Sequence, residues 1–507
     1  MALSATTVWE VQSGGSDLNG GAFYTVAGGS DYSQVGATPH VAFDGTTIYW
    51  TAAGAGLTIK IYGYTVANTD KGNSLRVPAP GDANQTAGVY CIASVVTGAE
   101  GTQSWTLVGA GNVCTGAVTA GTGRMGGSLL TIGAAVAAGN VVNGNTVWVK
   151  EGAYSVSANI VAAEANYEQQ NRIQGYSVTR GDGGRPTITA TAGCTTVLSH
   201  AEGGVWSFFD LIVDCADIAN IGINNNNSYS ANVTRCKVTR FAQYGIDAYV
   251  ADRCEVSNGK AGSTAGLRVL RNARNNYVHD NPCTGILGSG HAPVIGNVVC
   301  NNTGATSDGI YFNSYGANQA CNNICFGNGR DGIRFDSYAM CDLCYDNILV
   351  NNVGYGIRLP PYGTRPDQFD NNAFYGNGAR TDRAGSVDIV LTANPFVNSA
   401  AADFRLNTTA GGGAACRAAG VAVATYAYLP ALGAIPDVPV YPAAGEVWEN
   451  AACTEFGPTG VDYTPTRTDA AAADVKAGVK YGDPDNQLTG ELVAGGGVRR
   501  GGALRGA

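Results

Sequence analysis

The chain has 507 residues, only 14% of them charged, with 72 glycines, a net charge of -9 and a pI near 5.0. So acidic a chain has no cationic surface able to track phosphates, which excludes nucleic acid as a general partner, and no run of eighteen apolar residues exists to predict membrane insertion. Abundant Gly, Asn and Thr with only 3 Met make poor helix material, so the expected fold class is all-β.

The opening MALSATTVWEVQSGG has neither a charged n-region nor an apolar h-region, so no secretion leader is expected. Residues 1–127 carry Gly-Gly-Ser-Asp twice, at Gly14 to Asp17 and Gly28 to Asp31, and strand-like runs such as LTIKIYGYTV and GVYCIASVV between Gly-rich turns. A small N-terminal β-domain follows, one that also covers the open end of the next region. Asp17 and Asn19 in GGSDLNGG have the spacing of a calcium loop but lack its other ligands and terminal Glu. A turn is the expected reading, and calcium is the one cofactor left open.

From 128 to 400 the chain is periodic. Gly followed by Ile or Leu recurs at Gly222, Gly245, Gly266, Gly285, Gly309, Gly332 and Gly356, with gaps of 23, 21, 19, 24, 23 and 24 residues. Pairs of Asn five apart run with them: Asn276 and Asn281, Asn297 and Asn302, Asn323 and Asn328, Asn347 and Asn352, Asn372 and Asn377. Between the two Asn sits an apolar slot filled by Val278, Val299, Cys325, Leu349 and Phe374. A unit this short cannot bury its apolar face alone, so copies must stack as coils of a solenoid. Leucine-rich repeats share the length but need a Leu ladder and a helical half that are missing here. A parallel β-helix is expected, with Asn at corners because it tolerates left-handed backbone and its amide can bond the Asn one coil away. The Gly would supply a second bend, after which Ile333, Arg334, Phe335 and Asp336 alternate in and out. The hand of the coil is right, by the rule for parallel crossovers.

These repeats resemble the right-handed parallel β-helix superfamily, the pectate-lyase-like solenoids, over about 145 to 400; NGNTVWVKEGAYSVSANI and NRIQGYSVTRGDGGRPTITA resemble its first two coils. The resemblance implies a fold and not an activity. The stretches VWEVQSGGSDLNGGAF and GTGRMGGSLLTIGAAV are similar to N-terminal segments of β-helix proteins of tailed phages. Past Phe404 the period stops. Residues 401–460 read as a cap and an Ala/Gly/Pro-rich linker, and 461–507 as a docking segment or tail. There DAAAADVKAGVKYGDPDNQLTGEL is expected to form a short helix and a hairpin before the basic GGGVRRGGALRGA, again similar to ends of phage structural proteins.

Of the 14 cysteines, Cys194, Cys215 and Cys236 are 21 apart, as are Cys300 and Cys321, gaps that equal one coil. Stacks of buried thiols are expected rather than disulfides. Cys321, Cys325, Cys341 and Cys344 fit C-x3-C-x15-C-x2-C, close to a zinc spacing, but Cys325 falls in the apolar slot, which argues against a metal centre.

For an enzyme on this fold the resemblance implies either a lyase, with a basic residue that abstracts a proton, or a hydrolase with paired carboxylates. The carboxylate candidates are Asp308 and Asp331, which precede the Gly of successive coils and should stack, and Asp210, Asp214 and Asp217 near His200. Candidate bases are Arg268, Arg271, Arg274 and His279. Outward polar positions and Asp-Gly turns account for each without chemistry. Asp247, Arg268, Tyr311, Arg334 and Arg358 all lie two places after the repeat Gly and should line one face, there to bind an acidic glycan or a neighbouring subunit. The expected function is that of a structural virion component of a phage, a spike, fibre or capsid-surface protein with the β-helix as rigid scaffold. Such a protein would be a homotrimer by cyclic symmetry, in contact with other virion proteins and with surface polysaccharide, and assembled in the host cytoplasm. The alternatives are a polysaccharide lyase or hydrolase, and an extracellular adhesin or filament subunit.

Overall fold

The computed structural model describes residues 7–419, apart from 37, 79–81, 110, 138–143, 164–169, 202–204, 226–231, 314–316, 337–339, 360–367 and 382–387, and beyond them short strands between 480 and 498. Each coil contributes three short strands. Face I is an 11-stranded parallel sheet that starts at Ala153–Val156 and ends at Ile389–Val390. Face II runs from Ile160–Ala162 to Ala379–Thr381, and face III from Thr7–Val11 to Gln368–Asp370. The long strands Tyr244–Asp252 and Ala265–Arg274 bend from face II into face III and merge the two into one 20-stranded sheet. Coil-to-coil pairing is parallel throughout, and the architecture is the expected right-handed parallel β-helix. No described helix is long and apolar enough to cross a membrane.

The asparagines form two buried ladders, one at each edge of face I. At the corner from face III, Asn276, Asn297, Asn323, Asn347 and Asn372 each donate Nδ2 to the next Oδ1, at 2.9, 3.0, 3.0 and 2.9 Å, and the row ends on Asp388. At the corner to face II, Asn281, Asn302, Asn328, Asn352 and Asn377 do the same at 2.9, 3.0, 2.9 and 2.8 Å. The same Oδ1 atoms accept backbone N–H groups, and the second Nδ2 hydrogen reaches a carbonyl, as from Asn352 to Cys325 O at 3.0 Å. The left-handed corner falls one residue earlier than expected: Asn275, Asp280, Asn301, Asn322, Asp346, Asn351 and Asn371 have φ of 53 to 58°. Turning the chain and joining the coils are thus done by adjacent residues.

The repeat glycines do not bend the chain either, since none of them has positive φ. They are sites of close approach. A Cβ on Gly309 would lie 2.5 Å from Gly332 O, and one on Gly332 would lie 2.6 Å from Gly356 O. Inside, Val278, Val299, Cys325, Leu349 and Phe374 stack in one row, as the slot pattern required, and Ile286, Ile310, Ile333 and Ile357 form the facing row. The twelve described cysteines are free and buried, yet the spacing of 21 does not stack them. Coil lengths vary: Lys237 pairs with Glu255, 18 residues on, and Val298 with Ile324, 26 on. Cys236 and Cys254 are the thiols this brings side by side, and burial pushes Cys236 up to about 12. Cys325 is a core side chain; the side chain of Cys341 lies outside the described residues.

The first described strand lies on the solenoid. Val8 pairs with Thr146 and Val11 with Val149, so residues 7–11 are a rung of face III and not part of the N-terminal domain expected up to 127. That domain is an excursion: seven antiparallel strands from Val41–Asp44 to Val118–Met125 close into a barrel, because Val118–Met125 pairs with both Tyr49–Ala52 and Ser74–Val77. Its core of Trp50, Ile59, Ile61, Trp105 and Leu107 is its own. The end of the solenoid is closed by Leu129 and the short helix Ile132–Val136, whose Ile132, Ala135 and Val136 are buried with Trp9 and Val147, and the barrel contributes Cys91 to the same cluster, with Val89 and Val108 packed against it. Asp17 anchors that closure, accepting from Leu130 N at 3.0 Å, Thr131 N at 2.9 Å and Thr131 Oγ1 at 2.9 Å, while buried Asn19 donates to Ser128 O at 3.0 Å.

The other end also departs from a simple cap. Val298, Cys300, Ile324, Ile348 and Val350 point outward from face I yet are 0 to 2% exposed. Phe326 in that surface meets Phe396 and Phe404, with ring centroids 6.3 and 5.5 Å away, so the hairpin Phe396–Asn398 with Asp403–Leu406 lies over face I. In the separate unit 441–507, Lys480–Tyr481 pairs with Leu488–Thr489, the expected hairpin, and Leu492–Val493 with Gly497–Val498. The short helix expected before it and most of the linker fall outside the described residues.

Asn352→Ala removes four ladder bonds and leaves buried partners unsatisfied, so it should cost about 2–4 kcal/mol in chemical unfolding, whereas Asn351→Gly next to it, exposed and at φ 55°, should stay within about 0.5 kcal/mol. Gly309→Ala should lower the melting temperature sharply, with Gly111→Ala, where a Cβ meets nothing within 4 Å, as the silent control.

Candidate functional site

On face II the residue before each repeat Gly and the residue two after it point outward. Register places Asn224, Asp247, Arg268, Leu287, Tyr311, Arg334 and Arg358 in one row, so the expected line of Asp247, Arg268, Tyr311, Arg334 and Arg358 is present, with Leu287 inserted. Beside it runs Tyr244, Ala265 and Thr284, continued by Asp308, Asp331 and Tyr355 before Gly309, Gly332 and Gly356.

The two rows are tied by charge and ring contacts. Arg268 donates Nε to Asp247 Oδ1 at 2.8 Å and lies over the Tyr244 ring at 5.0 Å. Arg330 grips Asp308 with Nε at 2.7 Å and with Nη2. Arg334 covers Tyr311 at 5.1 Å with Nη1 4.0 Å from Asp308, and Arg358 covers Tyr355 at 5.5 Å with Nη1 3.7 Å from Asp331. Tyr311 donates its hydroxyl to Asp336 at 2.8 Å. Burial pushes the Asp308 carboxyl up, Arg330 opposes this and the neighbouring Asp331 adds to it. The carboxylates of Asp247, Asp308 and Asp331 are 0 to 3% exposed and the four arginines 23 to 47%. Solvent on this face therefore meets guanidinium and phenol, with the acids behind them.

The other carboxylate group does not assemble. Asp210 sits at a left-handed corner held by Arg235, Asp214 is on face I held by Arg240, and Asp217 is in the turn after it. His200 ends a face II strand, its Nδ1 2.8 Å from Ala201 O and its pKa lowered by burial. Sequence neighbours separate because one coil visits all three faces. The four candidate bases separate likewise: Arg268 is on face II, Arg271 over Tyr249, Arg274 on face III beside Asn272, and His279 on face I.

His279 belongs to a cluster the period did not reveal. Its ring stacks on Tyr277 at 3.9 Å, Nδ1 is 2.7 Å from Asp280 and Nε2 3.5 Å from Glu255, which Lys237 also contacts at 2.7 Å. The signal was masked because Lys237 and Glu255 are joined by a short coil of 18 residues. Among the described residues no group of three His, Cys, Asp or Glu is arranged to hold a metal ion.

The fold and this face define a parallel β-helix protein with an ionic and aromatic outer row. No protein-family model and no curated protein matches the sequence. Among solved structures the chain is similar to pectate lyase Pel9A, at 14% identity and TM-score 0.35 over 61% of this chain and 91% of that one. It is also similar to the periplasmic alginate epimerase AlgG, at 14% identity and TM-score 0.25 over 49% and 76%, and to the pectin methylesterase from Aspergillus niger, at 14% identity and TM-score 0.26 over 53% and 88%. The fold itself rests on the strand pairing above.

Burial works against a charged His279, but its bonds to Asp280 and Glu255 outweigh it and raise the pKa above 6.5. A raised histidine pKa stabilises the fold below the unfolded value and the contribution is lost as pH rises through the folded one. Melting temperature should therefore fall as pH is raised from 6.5 through that higher value, and His279→Gln should flatten this part of the profile.

Proposed function

We infer that the β-helix binds a polysaccharide along face II, from the coil of Tyr244 to that of Arg358. The observation that carries the reading is the repeated pairing of guanidinium and ring: Arg268 over Tyr244, Arg334 over Tyr311, Arg358 over Tyr355. A guanidinium seated on an aromatic face is held flat with donors directed outward, the geometry that grips carboxylates and hydroxyls in pairs. Arg268 and Arg334 lie three coils apart in the row and Arg334 and Arg358 one, at about 4.8 Å per coil, so the pairs mark a track for a polymer laid along the solenoid. An acidic glycan is the class that uses every part of the row. Cleavage of the polymer is the second reading, favoured by the buried acids Asp308 and Asp331 on the same face. A place on a phage particle, as a trimer or otherwise, enters only as a setting, supported by the resemblance of the terminal segments and by nothing in the coil.

Calorimetry with polygalacturonate and alginate should detect binding that weakens with salt, and Arg334→Ala and Arg358→Ala should each weaken it about tenfold, or about 1.4 kcal/mol. No binding to any acidic glycan, or binding indifferent to both substitutions, would refute the reading. New reducing ends or unsaturated products in the same mixtures would establish cleavage.

A further inference from the structure

Asp308 and Asp331 hold equivalent places in successive coils and are not equivalent. Asp308 has both oxygens engaged: Oδ1 accepts from Arg330 Nε at 2.7 Å and from Asp331 N at 3.2 Å, and Oδ2 accepts from Arg330 Nη2. Asp331 is as deeply buried, at 1% exposed, and its Oδ1 accepts from Tyr355 N at 2.8 Å. Its Oδ2 is closed to solvent and has no hydrogen-bond partner among the described residues. The nearest cation, Arg358 Nη1 at 3.7 Å, is beyond hydrogen-bond reach, and the Arg358 side chain is 47% exposed.

A desolvated carboxylate oxygen without a donor destabilises a fold, so a purely structural aspartate would be expected to gain one, as Asp308 does from Arg330. Asn at this position would keep the bond to Tyr355 and remove the buried charge. Strain of this kind is retained where a ligand supplies what the chain withholds. Arg358 fits the part of a movable cover: among the described residues no hydrogen bond fixes it, and it meets there one ring and one distant charge.

We propose that Asp331 is the ligand-contacting acid of face II: a sugar hydroxyl donates to its Oδ2 while Arg358 turns outward onto the acidic group of the same polymer. Asp308 with Arg330 is the fixed half that holds adjacent coils together. The assignment rests on the glycan reading above and narrows it, since the ligand must offer a free hydroxyl beside its acidic group. Blocking that hydroxyl, as O-acetylation does, removes the donor.

The experiment compares the full chain with Asp331→Asn and Asp308→Asn, measuring the melting temperature and the affinity for polygalacturonate and for its O-acetylated form. The expected result is that Asp331→Asn melts at or above the parent temperature, binds polygalacturonate about tenfold more weakly and loses the preference over the acetylated polymer, whereas Asp308→Asn melts lower. The assignment is overturned if Asp331→Asn melts as low as Asp308→Asn, or if affinity and preference are those of the parent. A parent chain that binds neither polymer removes the glycan reading and this assignment with it. One that binds both equally, with Asp331→Asn unchanged, removes the assignment alone.

Discussion

From Asn276 onward the solenoid hangs on two rows of buried amides. A corner of a β-helix leaves a backbone N–H and a carbonyl inside with no strand partner, and such groups are costly unless paired. An Asn side chain carries both complements, one acceptor and a two-hydrogen donor, and stacking one per coil lets each amide serve the backbone and the amide beside it. Asn302 does this with Asn281 on one side and Asn328 on the other. Because the ladder closes only at coil spacing, it sets the phase of everything that follows in each coil.

That phase is what builds face II. With the corner pinned, the repeat Gly falls against the carbonyl of the next Gly, where no Cβ fits, and the following Ile turns into the core. The residues on either side are then outward in every coil, and whatever the sequence places there becomes a column. Columns of Asp, Arg and Tyr sort themselves by the usual electrostatic costs: the small acids sink beneath long guanidinium groups that cover them, and the guanidiniums rest on rings. The resulting surface is polar, with guanidinium and phenol outermost.

The remaining faces are differently employed. Face I is bracketed by both ladders, carries the His279, Glu255 and Lys237 cluster in its middle coils, and is overlaid by the Phe396 to Leu406 hairpin where its outer residues turn apolar. Its terminal coils are thereby kept from acting as an exposed apolar patch. The barrel is an inserted unit with its own core, between two strands that both belong to face III, and its Cys91 reaches into the solenoid's core cluster.

The sequence by itself determined the solenoid, the stacked apolar slots, the Asp308 and Asp331 column and the arginine row, because each is a local pattern repeated at nearly constant phase. What it could not settle are matters of register and return. Which of two adjacent residues takes the left-handed corner is invisible when both are Asn, as at Asn351 and Asn352. Thiols 21 apart look stacked until coil lengths of 18 and 26 are counted. Tyr355 escaped notice because its slot held Asp in the two coils before it, and Glu255 because a short coil shifted it out of phase. The first rung at Thr7–Val11 and the hairpin over face I needed the tertiary structure, since each is defined by a partner over a hundred residues away or on the outside of the coil, where no period runs. The open oxygen of Asp331 belongs to the same category: two aspartates that each precede a repeat Gly-Ile differ because one has an arginine within hydrogen-bond reach and the other does not.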